Sequence, residues 1–596
     1  MKAPIVLKFG GSFLRGHADL VRAVHAIYRE VRDGRPVIAV TSAFHGRTDA
    51  LERSLRSLDA ERGVRSSERT RAALLQTGEL ETANLLSAAL DRSGVPSRVL
   101  EVPRFGPFVE PGTEDPTHVD AKAIHELLER FPVLCIPGFA AAENTPERGP
   151  ALLGRGGSDM TAMVLGRDLS ATIRLVKDVE GLYTSDPARK DAEAGPPRRL
   201  ARVAYQDALS LGPDILQPRA VRFARDHELE FEVVGPGHIA GVRGTRVGER
   251  PTASRSAPAP PRPLRVALLG LGAVGARVFA ELQSAPDRFE VVSVLVRSIP
   301  GRERPAAARS LLTESYEEVL AAAPDLIVEA TGGHQPAAGR IRTALARGIH
   351  VVTANKVAAA KAKPHLEESA REGGAVLLAS AAVGGALPAL ETVGRLRTGS
   401  RGDALVGIEG VLNGTSNAVL DAVAKGSSLA EAIEAAQKEG LAEADPTHDL
   451  DGTDIVHKIE LLARAAGWPA PRWLHQESLA VGGEDAPARR VHVTPECQLR
   501  ARFIGSVFRS DVGPVASVSL QLAGEDCVFH GVNGSWNALV LHFESGATRT
   551  VMGRGAGPWP TATAVMGDVY AISRRIALGE LAPEAEALTE TEEEGR

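Results

Sequence analysis

Cysteine is scarce in this chain of 596 residues. The three cysteines, Cys135, Cys497 and Cys527, are widely spaced and form no Cys-x-x-Cys pair. This spacing excludes a disulfide framework and a structural zinc cluster, and it fits a reducing cytosol. An excess of positive charge is missing as well, because the formal net charge is −6. We therefore expect no nucleic-acid partner.

Long uninterrupted apolar runs are also rare. Lys8 and a glycine turn interrupt the only early apolar run, which argues against a signal peptide of the usual form. One uncharged stretch, residues 373–390, is long enough to span a membrane. Its four glycines, serine and proline indicate a buried strand followed by a loop instead. We expect a soluble, cytoplasmic protein without a membrane partner.

The length predicts two or three domains. A Pro/Ala/Ser-rich segment, PTASRSAPAPPRP at residues 251–263, cannot build a core and indicates an extended spacer. The predicted boundaries are 1–249 for a first domain, 250–263 for the linker, 264–384 and 385–580 for two further domains, and 581–596 for an acidic tail.

Apolar runs alternate with helical patterns on both sides of the linker. The runs before it are Ile5–Phe9, Val37–Thr41, Val133–Pro137, Thr172–Val176 and Phe231–Val234. The runs after it are Leu264–Leu269, Val291–Val296, Leu326–Glu329 and His350–Thr353. This alternation predicts an α/β domain with a mostly parallel sheet, then a doubly wound βαβ domain. A helical region over Leu429–Gly467 and strands at Val515–Leu522 and Ala538–Phe543 predict an additional α+β domain.

A glycine fingerprint follows the strand predicted at Leu264–Leu269. Gly270, Gly272 and Gly275 form G-x-G-x-x-G, and Ala273 and Val274 open the predicted helix. Such glycines allow a tight turn and close approach of a pyrophosphate to the helix N-terminus. A purely structural glycine turn is the alternative.

Arg297 stands after the next strand, where an NAD site would place Asp or Glu, so NADP is favoured over NAD. An exposed arginine at a strand end, without a role in cofactor binding, is the alternative.

Residues 264–575 carry several further motifs in a fixed order. They are Glu329-Ala-Thr-Gly-Gly333, Val352-Thr-Ala-Asn-Lys356, Asn413-Gly-Thr-Ser-Asn417, Gly440-Leu-Ala-Glu-Ala-Asp-Pro446, Gly553-Arg-Gly-Ala-Gly557 and Pro560-Thr-Ala-Thr-Ala-Val565. In these motifs the segment resembles homoserine dehydrogenase. The resemblance implies a Rossmann dinucleotide-binding domain, with Thr331 and Gly332 also at the cofactor, followed by a substrate and dimerisation domain.

Asp454 and Lys458 are spaced i,i+4 in a helical stretch, so their side chains point the same way. The alternative for such a pair is a surface salt bridge. The resemblance implies that Lys458 passes the proton, while Asp454, Glu443 and Lys356 hold and orient the substrate. Three nearby carboxylates are interpreted as capping or loop groups: Asp445, Asp449 and Asp451.

The family often binds a monovalent cation through a glutamate and backbone carbonyls. Ser380 stands where that glutamate is expected, which leaves the Val383 carbonyl as a weak sodium ligand.

Two glycine-rich turns in the first domain predict anion sites. Gly10 and Gly11 follow Lys8, and Gly154-Arg-Gly-Gly-Ser-Asp159 precedes an apolar helix. Together with Val40-Thr-Ser-Ala43, Gly78-Glu79, Lys177-Asp-Val-Glu-Gly-Leu-Tyr183, Asp186-Pro187 and Pro218-Arg-Ala220, they resemble aspartate kinase, of the amino acid kinase fold. A structural bend is the alternative for each turn.

The resemblance implies a role for each residue of the first domain. Lys8 and Asp159 are the catalytic pair; the aspartate site consists of Thr48, Glu79, Arg155 and Ser158; the ATP site, served by Mg²⁺, consists of Lys8, Gly10, Gly11, Lys177, Asp178, Tyr183 and Asp186.

Four positions depart from the kinase pattern. Phe13 replaces a hydroxyl residue, Asp214 replaces a nucleotide-side lysine, Gln217 replaces a histidine, and Lys177 replaces a threonine. An anion beside a triphosphate costs binding energy that Lys177 could restore. Three interpretations stay open: an active aspartate kinase, an inactive kinase fold serving as a binding or oligomerising module, and a kinase for another amino acid such as glutamate.

Fused enzymes of this kind often carry paired regulatory ACT domains between the halves. The linker of about fifteen residues cannot fold into either domain. We therefore expect no threonine or lysine feedback by that route, and strong cooperative inhibition by threonine would contradict this expectation. By resemblance, we expect a homodimer or a higher homo-oligomer acting on small-molecule substrates.

Overall fold

The computed structural model describes residues 2–63, 65–185, 197–211, 216–235, 237–238, 244–252, 262–299, 305–332, 335–361, 363–399, 402–439, 441–442, 445–479 and 499–581. The chain forms two compact units, the first comprising residues 1–92 and 96–261 and the second comprising 93–95 and 262–596. Among the described residues, no helix is both long enough and apolar enough to cross a membrane.

The first unit alternates strands and helices along most of its length. Its elements are β1 (Ile5–Phe9), α1 (His17–Arg32), β2 (Val37–Thr41), α2 (Arg47–Arg62), α3 (Glu68–Arg92), β3 (Ser97–Val99), α4 (Val102–Phe105), β4 (Phe108–Val109), β5 (Pro116–His118), α5 (Ala121–Arg130), β6 (Val133–Pro137), β7 (Ala140–Glu143), β8 (Pro150–Leu152), α6 (Gly157–Asp168), β9 (Thr172–Val176), β10 (Arg202–Ala204), α7 (Tyr205–Ser210), α8 (Pro218–Asp226), β11 (Phe231–Val234) and β12 (Thr245–Gly248).

An eight-stranded sheet organises this unit in the order β10-β12-β11-β9-β1-β2-β6-β3. All neighbours pair in parallel except β11 and β12. Every residue of β1, β2 and β6 is buried, as expected for central strands covered on both faces. A small sheet, β5-β4-β7-β8, lies beside the large one in the chain's first unit. The predicted α/β sandwich is confirmed, and the carboxyl ends of β1, β2, β6 and β9 share one edge of the sheet.

The second unit contains the remaining elements. They are β13 (Leu264–Leu269), α9 (Ala273–Gln283), β14 (Phe289–Leu295), β15 (Leu312–Thr313), α10 (Tyr316–Ala321), β16 (Leu326–Glu329), α11 (Ala337–Ala346), β17 (His350–Thr353), α12 (Lys356–Lys361), α13 (Lys363–Glu372), β18 (Leu377–Leu378), α14 (Ala389–Gly399), β19 (Leu405–Val411), α15 (Gly414–Ala424), α16 (Leu429–Lys438), α17 (Thr447–Leu450), α18 (Thr453–Ala465), β20 (Arg472–Gln476), β21 (Arg500–Ser510), β22 (Gly513–Ala523), β23 (Trp536–Phe543), β24 (Thr548–Arg554) and α19 (Pro558–Ala577), with short 3₁₀ turns at Ala306–Leu311, Ser380–Ala382 and Val528–Gly531.

The first half of this unit has a six-stranded parallel sheet, ordered β15-β14-β13-β16-β17-β18. The order reverses between β14–β13 and β16–β17, which is the doubly wound arrangement predicted from the sequence. The residues predicted to bind cofactor and substrate follow the carboxyl ends of β13, β16 and β17, where open α/β sheets generally bind their ligands.

The second half is an α+β domain built on a sheet ordered β20-β22-β21-β19-β23-β24. Its pairs are antiparallel except β20 with β22. The helical region predicted over Leu429–Gly467 is divided into α16, α17 and α18. Pro446 precedes α17, and Gly452 adopts φ 83° immediately before α18. Proline and a left-handed glycine interrupt helices, so the predicted helical region consists of three helices rather than one.

The last helix, α19, returns to the dinucleotide-binding half. Its buried residues share a core with β13, α9 and β14, including Val565, Val569 and Ile572. The guanidinium of Arg277 on α9 lies 3.9 Å from the ring centroid of Trp559, and Tyr570 stacks edge-on against Phe289 at 5.4 Å. A segment near the end of the described chain thus completes the core of a domain that begins at residue 264.

Candidate active sites

The turn between β13 and α9 has the geometry of a phosphate cradle. Gly270 adopts φ 97°, and a Cβ on Gly275 would lie 2.1 Å from the Gly270 carbonyl oxygen. A Cβ on Gly272, in contrast, would meet no atom within 4 Å. Gly272 and Ala273 are exposed at the start of α9, and Val274 is half-buried. Gly270 and Gly275 therefore allow the tight turn, while Gly272 leaves open space in front of the N-terminus of α9. Open space at a helix N-terminus suits an anion.

Glu329, a fully buried carboxylate at the end of β16, links the loops that follow β16 and β17. It accepts hydrogen bonds from the backbone N–H and the hydroxyl of Thr331, and at 2.6 Å from the hydroxyl of Thr353. Thr353 in turn accepts from the Asn355 N–H at 3.0 Å, and Asn355 donates its amide to the Thr331 carbonyl at 3.3 Å. This network holds the Thr331–Gly332 loop and the loop that ends at Lys356 in one arrangement.

Lys356, Asp454 and Lys458 come together beside these loops. Lys458 Nζ lies 2.5 Å from Asp454 Oδ2, and Lys356 Nζ lies 3.2 Å from Asp454 Oδ1. The side chains of Lys458 and Asp454 are 3% and 10% exposed, while that of Lys356 is 47% exposed. The i,i+4 pair on α18 is therefore buried and is not a surface salt bridge, and the cluster opens to solvent on the Lys356 side.

Burial and charge act in opposite directions on the ionisable groups of this cluster. Burial disfavours the charged form of Asp454, but Lys458, Lys356 and a hydrogen bond from Asn413 hold the pKa of that carboxyl well below its ordinary value. Burial lowers the pKa of Lys458, Asp454 opposes this effect, and the charge of Lys356 lowers it further. A permanent carboxylate beside a lysine of lowered pKa is suited to proton transfer at neutral pH.

Asn413 and Asp449 complete the cluster, although the sequence analysis assigned neither to it. Asn413 Nδ2 donates to Asp449 Oδ1 at 2.7 Å and to Asp454 Oδ2 at 2.8 Å. The capping interpretation fits Asp445 and Asp451, which accept from Thr447 and Thr453 within their own turns. Asp449 differs from these two, because the hydrogen bond from Asn413 links its carboxylate to the cluster.

Three further residues of the second unit were predicted at the cofactor or the substrate: Arg297, Gly332 and Glu443. Arg297 is exposed just after β14, at the edge to which β13 delivers the glycine turn, and Gly332 is exposed with open space around it. Glu443 lies outside the described residues.

The segment expected to bind sodium is differently built. Ser380 donates its N–H and hydroxyl to Asp568 on α19, at 3.0 and 2.7 Å. The N–H of Val383 donates to the Ser380 carbonyl at 3.2 Å. Position 380 offers no carboxylate, and its hydroxyl is committed to Asp568 as a donor. The residues present do not fit the glutamate-based cation site of the family. Among the described residues, no group of three or more His, Cys, Asp or Glu side chains is arranged to hold a metal.

In the first unit, Lys8 and Asp159 form a buried ion pair at the carboxyl edge of the large sheet. Lys8 Nζ lies 2.6 Å from Asp159 Oδ1, and both side chains are nearly inaccessible. Lys8 comes from β1, and Asp159 from the first turn of α6, which follows the left-handed Gly154 and Gly156. A Cβ on Gly10 would lie 3.2 Å from the Lys8 ammonium, so the glycine turn leaves room for that cation.

Charges around this pair perturb one another. Burial opposes ionisation of Asp159, but Lys8 and Lys177 hold its pKa below the ordinary value. Burial lowers the pKa of Lys177, which Asp159 partly offsets. Burial raises the pKa of Glu79 to about 8, although N–H groups of Phe139, Ala43 and Ala140 and the charge of Lys8 favour its ionised form. Two cations and two carboxyl groups thus surround one point at the sheet edge.

The other predicted kinase residues vary in their placement. Ser158 lies at the start of α6, with its hydroxyl 2.9 Å from that of Ser42, which the sequence analysis did not select. Arg155 is exposed in the glycine turn, and Thr48 is half-buried at the start of α2. The loop containing Gly11 packs near the Ala43 carbonyl.

The nucleotide-side residues follow β9. Asp178 forms an exposed ion pair with Arg15 at 3.1 Å. The backbone of Tyr183 forms an isolated antiparallel β-bridge with that of Arg199. Asp186 and Asp214 lie outside the described residues. Phe13 is buried against Phe9, with ring centroids 5.6 Å apart, so this departure from the kinase pattern serves packing.

Comparison with known proteins gives the same division of the chain. Residues 3–235 match the amino acid kinase family, residues 270–379 match the NAD-binding domain of homoserine dehydrogenase, and residues 388–570 match homoserine dehydrogenase. Fold and sites thus define a kinase domain joined to a nicotinamide-dependent dehydrogenase. The chain belongs to the homoserine dehydrogenase family and carries an amino acid kinase domain in the same polypeptide.

Individual relatives align with the second unit. A homoserine dehydrogenase of Synechocystis sp. is 33% identical over 334 residues, which is 52% of this chain and 73% of that protein. The Bacillus subtilis homoserine dehydrogenase is 30% identical over 334 residues and 74% of its length. A solved homoserine dehydrogenase of Thiobacillus denitrificans is 30% identical and covers 52% of this chain and 74% of its own, with a TM-score of 0.46.

Proposed function

We propose that the chain is bifunctional. The second unit reduces aspartate 4-semialdehyde to homoserine with NADPH, and the first unit phosphorylates L-aspartate to 4-aspartyl phosphate with ATP and Mg²⁺. The observation that carries the dehydrogenase assignment is the buried Asp454–Lys458 pair with Lys356 on the other carboxylate oxygen. The similarity to homoserine dehydrogenases supports homoserine as one member of this substrate pair.

Lys458 serves as the proton donor in this proposal. Its ammonium has three N–H bonds, of which one is directed to Asp454 and one to the Leu412 carbonyl at 2.5 Å. The third is available to the carbonyl oxygen of the substrate. A lowered pKa makes this ammonium a better acid, and Asp454 fixes its position. Lys356, the more exposed of the two lysines, orients the substrate from the open side. Glu443 is proposed to hold the substrate's amino end.

NADPH supplies the hydride when it is bound. Its pyrophosphate is proposed to lie over Gly272 and the start of α9, where an added Cβ would meet open space. The exposed guanidinium of Arg297 is suited to a 2′-phosphate, which favours NADPH over NADH. Thr331 and Gly332 line the nicotinamide side, held by Glu329.

The kinase half works by positioning and charge neutralisation in this proposal. Lys8 neutralises the transferring phosphoryl group, and Asp159 holds Lys8 in place. Glu79, Ser158, Thr48 and Arg155 are proposed to bind aspartate. Lys177, whose charge acts on both Lys8 and Asp159, is proposed to replace the nucleotide-side lysine that is missing at position 214.

An inactive kinase fold that serves binding or oligomerisation is the alternative for the first unit. Phe13, buried where the kinase pattern has a hydroxyl, favours this alternative. The buried Lys8–Asp159 pair favours the active enzyme, because an ion pair without a function gains little stability from burial.

The deciding experiment measures ATP- and Mg²⁺-dependent aspartyl phosphate, trapped as the hydroxamate, with Lys8→Ala as the control. Hydroxamate formed by the wild type and lost in Lys8→Ala supports the bifunctional enzyme. No hydroxamate, with homoserine oxidation intact, supports the inactive kinase fold. Glutamate in place of aspartate tests the remaining alternative of another amino acid kinase. Homoserine-dependent reduction of NADP⁺ and NAD⁺ tests the dehydrogenase and its cofactor preference.

We also propose a homodimer or higher homo-oligomer that acts in the cytoplasm on small molecules only. Light scattering of the full chain tests the assembly.

A further inference from the structure

The side chain of Asn413 makes three hydrogen bonds at the edge of the cluster. Its oxygen accepts the Ser416 N–H at 2.8 Å and so caps α15. Its nitrogen donates to Asp449 at 2.7 Å and to Asp454 at 2.8 Å. Asn413 is 3% exposed, so these contacts are made away from solvent. The helix cap fixes the amide orientation, and the amide then presents both N–H bonds to carboxylates.

A neutral donor is the fitting group at this point. Two carboxylates within reach of one nitrogen repel each other, and an amide can bridge them without adding charge. The neighbouring Leu412 carbonyl accepts from Lys458 Nζ at 2.5 Å, and Asn537 donates to the same carbonyl at 3.1 Å. Two adjacent residues at the end of β19 therefore hold both members of the Asp454–Lys458 pair, one through a side chain and one through the backbone.

We infer that Asn413 is a positioning residue of the dehydrogenase, which sets the placement of Asp454 and the proton affinity of Lys458 by bridging Asp449 and Asp454. This inference rests on the proposed dehydrogenase function and adds to it a residue that acts through Asp449 and Asp454. The charged groups of this network within the described chain are Asp449 of α17 and Asp454 of α18, which accept from Asn413, and Lys458 of α18 and Lys356 of α12, which pair with Asp454. The two carboxylates balance the two ammonium groups in charge, so a charge added at position 413 is expected to shift the pKa values of both lysines.

Two substitutions separate the bridge from the helix cap. Asn413→Asp keeps a good cap acceptor but replaces the donor by a third carboxylate. Asn413→Ser also keeps the cap, but its short side chain reaches neither carboxylate and adds no charge. Both variants therefore preserve the start of α15 while removing the bridge in chemically different ways.

The assay is homoserine oxidation by the full chain, followed as kcat and KM over pH 6 to about 11. Oxidation requires the unprotonated amine of Lys458, so the rate rises with pH through its pKa. The added carboxylate in Asn413→Asp is expected to raise the pKa of Lys458 and so to move the rising limb of the pH–rate profile to higher pH by about one unit or more. Asn413→Ser is expected to lower kcat about 10- to 100-fold without that upward movement. The KM for NADP⁺ is expected to stay unchanged in both.

The outcomes are distinguishable. Variants that keep wild-type kcat and the wild-type pH limb overturn the inference. Losses that track a fall in the thermal midpoint, with no change in the pH limb of Asn413→Asp, reduce Asn413 to a helix cap and also overturn it. If Asn413→Asp does not fold, the kcat of Asn413→Ser decides alone. A wild-type chain that does not oxidise homoserine refutes the proposed function itself, which is a separate result.

Discussion

Replacement of Lys458 by methionine removes the proposed proton donor while nearly keeping its length. General acid catalysis is worth about 100- to 10,000-fold in rate, which corresponds to about 3 to 5 kcal/mol of transition-state stabilisation. We expect Lys458→Met to lower the rate of semialdehyde reduction by that factor. Asp454 loses its contact at 2.5 Å but keeps Lys356 at 3.2 Å and Asn413 at 2.8 Å. The stability loss should therefore be smaller than the about 3–5 kcal/mol typical of an uncompensated buried charge.

The measurement is NADPH oxidation at saturating substrate, with NADPH binding followed by fluorescence to show that the cofactor site persists. Lys438 provides a matched control, because it forms an i,i+4 pair with Glu434 at 2.7 Å but is 73% exposed. Lys438→Met should keep the wild-type rate within about twofold, as expected for a surface pair. A Lys458→Met enzyme that retains a tenth or more of the wild-type rate, with cofactor binding intact, would refute the assignment of the proton donor.

Four further predictions concern other parts of the chain. Lys8→Met should lower hydroxamate formation at least about 100-fold and leave homoserine oxidation unchanged; parallel losses of both activities would contradict this. The pKa of Glu79 is raised from 4.5 to about 8, so folding favours its protonated form. The contribution of this group to the stability of the folded protein is complete below pH 4.5 and is lost as the pH rises toward 8. Glu79 should therefore lower the free energy of unfolding by up to about 1.4 kcal/mol per pH unit in that window. Urea titrations of Glu79→Gln at several pH values should lack this contribution, and slopes identical to those of the wild type would count against it. Gly272→Ala should weaken NADPH binding at an unchanged thermal midpoint, whereas Gly275→Ala, whose Cβ would lie 2.1 Å from a backbone oxygen, should lower the midpoint; thermal shifts with and without NADPH distinguish them. Since Ser380 offers no carboxylate, replacing Na⁺ by choline should leave the dehydrogenase rate within about twofold, and a large loss would show that a cation is required.

The strands of both parallel sheets were the most predictable part of the fold. Buried parallel strands are continuous apolar runs bounded by turn residues, so Val37–Thr41, Thr172–Val176 and Leu326–Glu329 could be delimited from the sequence alone. The glycine fingerprint after β13 was equally readable, because its chemistry and its backbone geometry depend on the same residues.

Contacts between segments far apart in the chain were not predictable from local patterns. Asp449 resembled a loop carboxylate because nothing near it in the sequence indicates that Asn413, on another element, donates to it. Ser42 and Glu329 lie within recognised motifs, but their partners Ser158 and Thr353 come from other strands and helices. The packing of α19 on α9 and β14 is of the same kind, since periodicity identifies an apolar face but not the surface that covers it.

That packing of α19 affects how the chain matures on the ribosome. All residues of the first unit are synthesised before residue 262, where the main part of the second unit begins, so the core of the first unit can close early. The dinucleotide-binding half starts at β13, but α19, which covers one of its apolar faces, is synthesised about 290 residues later. During that interval the apolar residues that α19 will cover stay exposed, and exposed apolar surface in an incomplete domain promotes aggregation. A premature stop before Pro558 would leave that surface permanently uncovered and would direct the product to degradation.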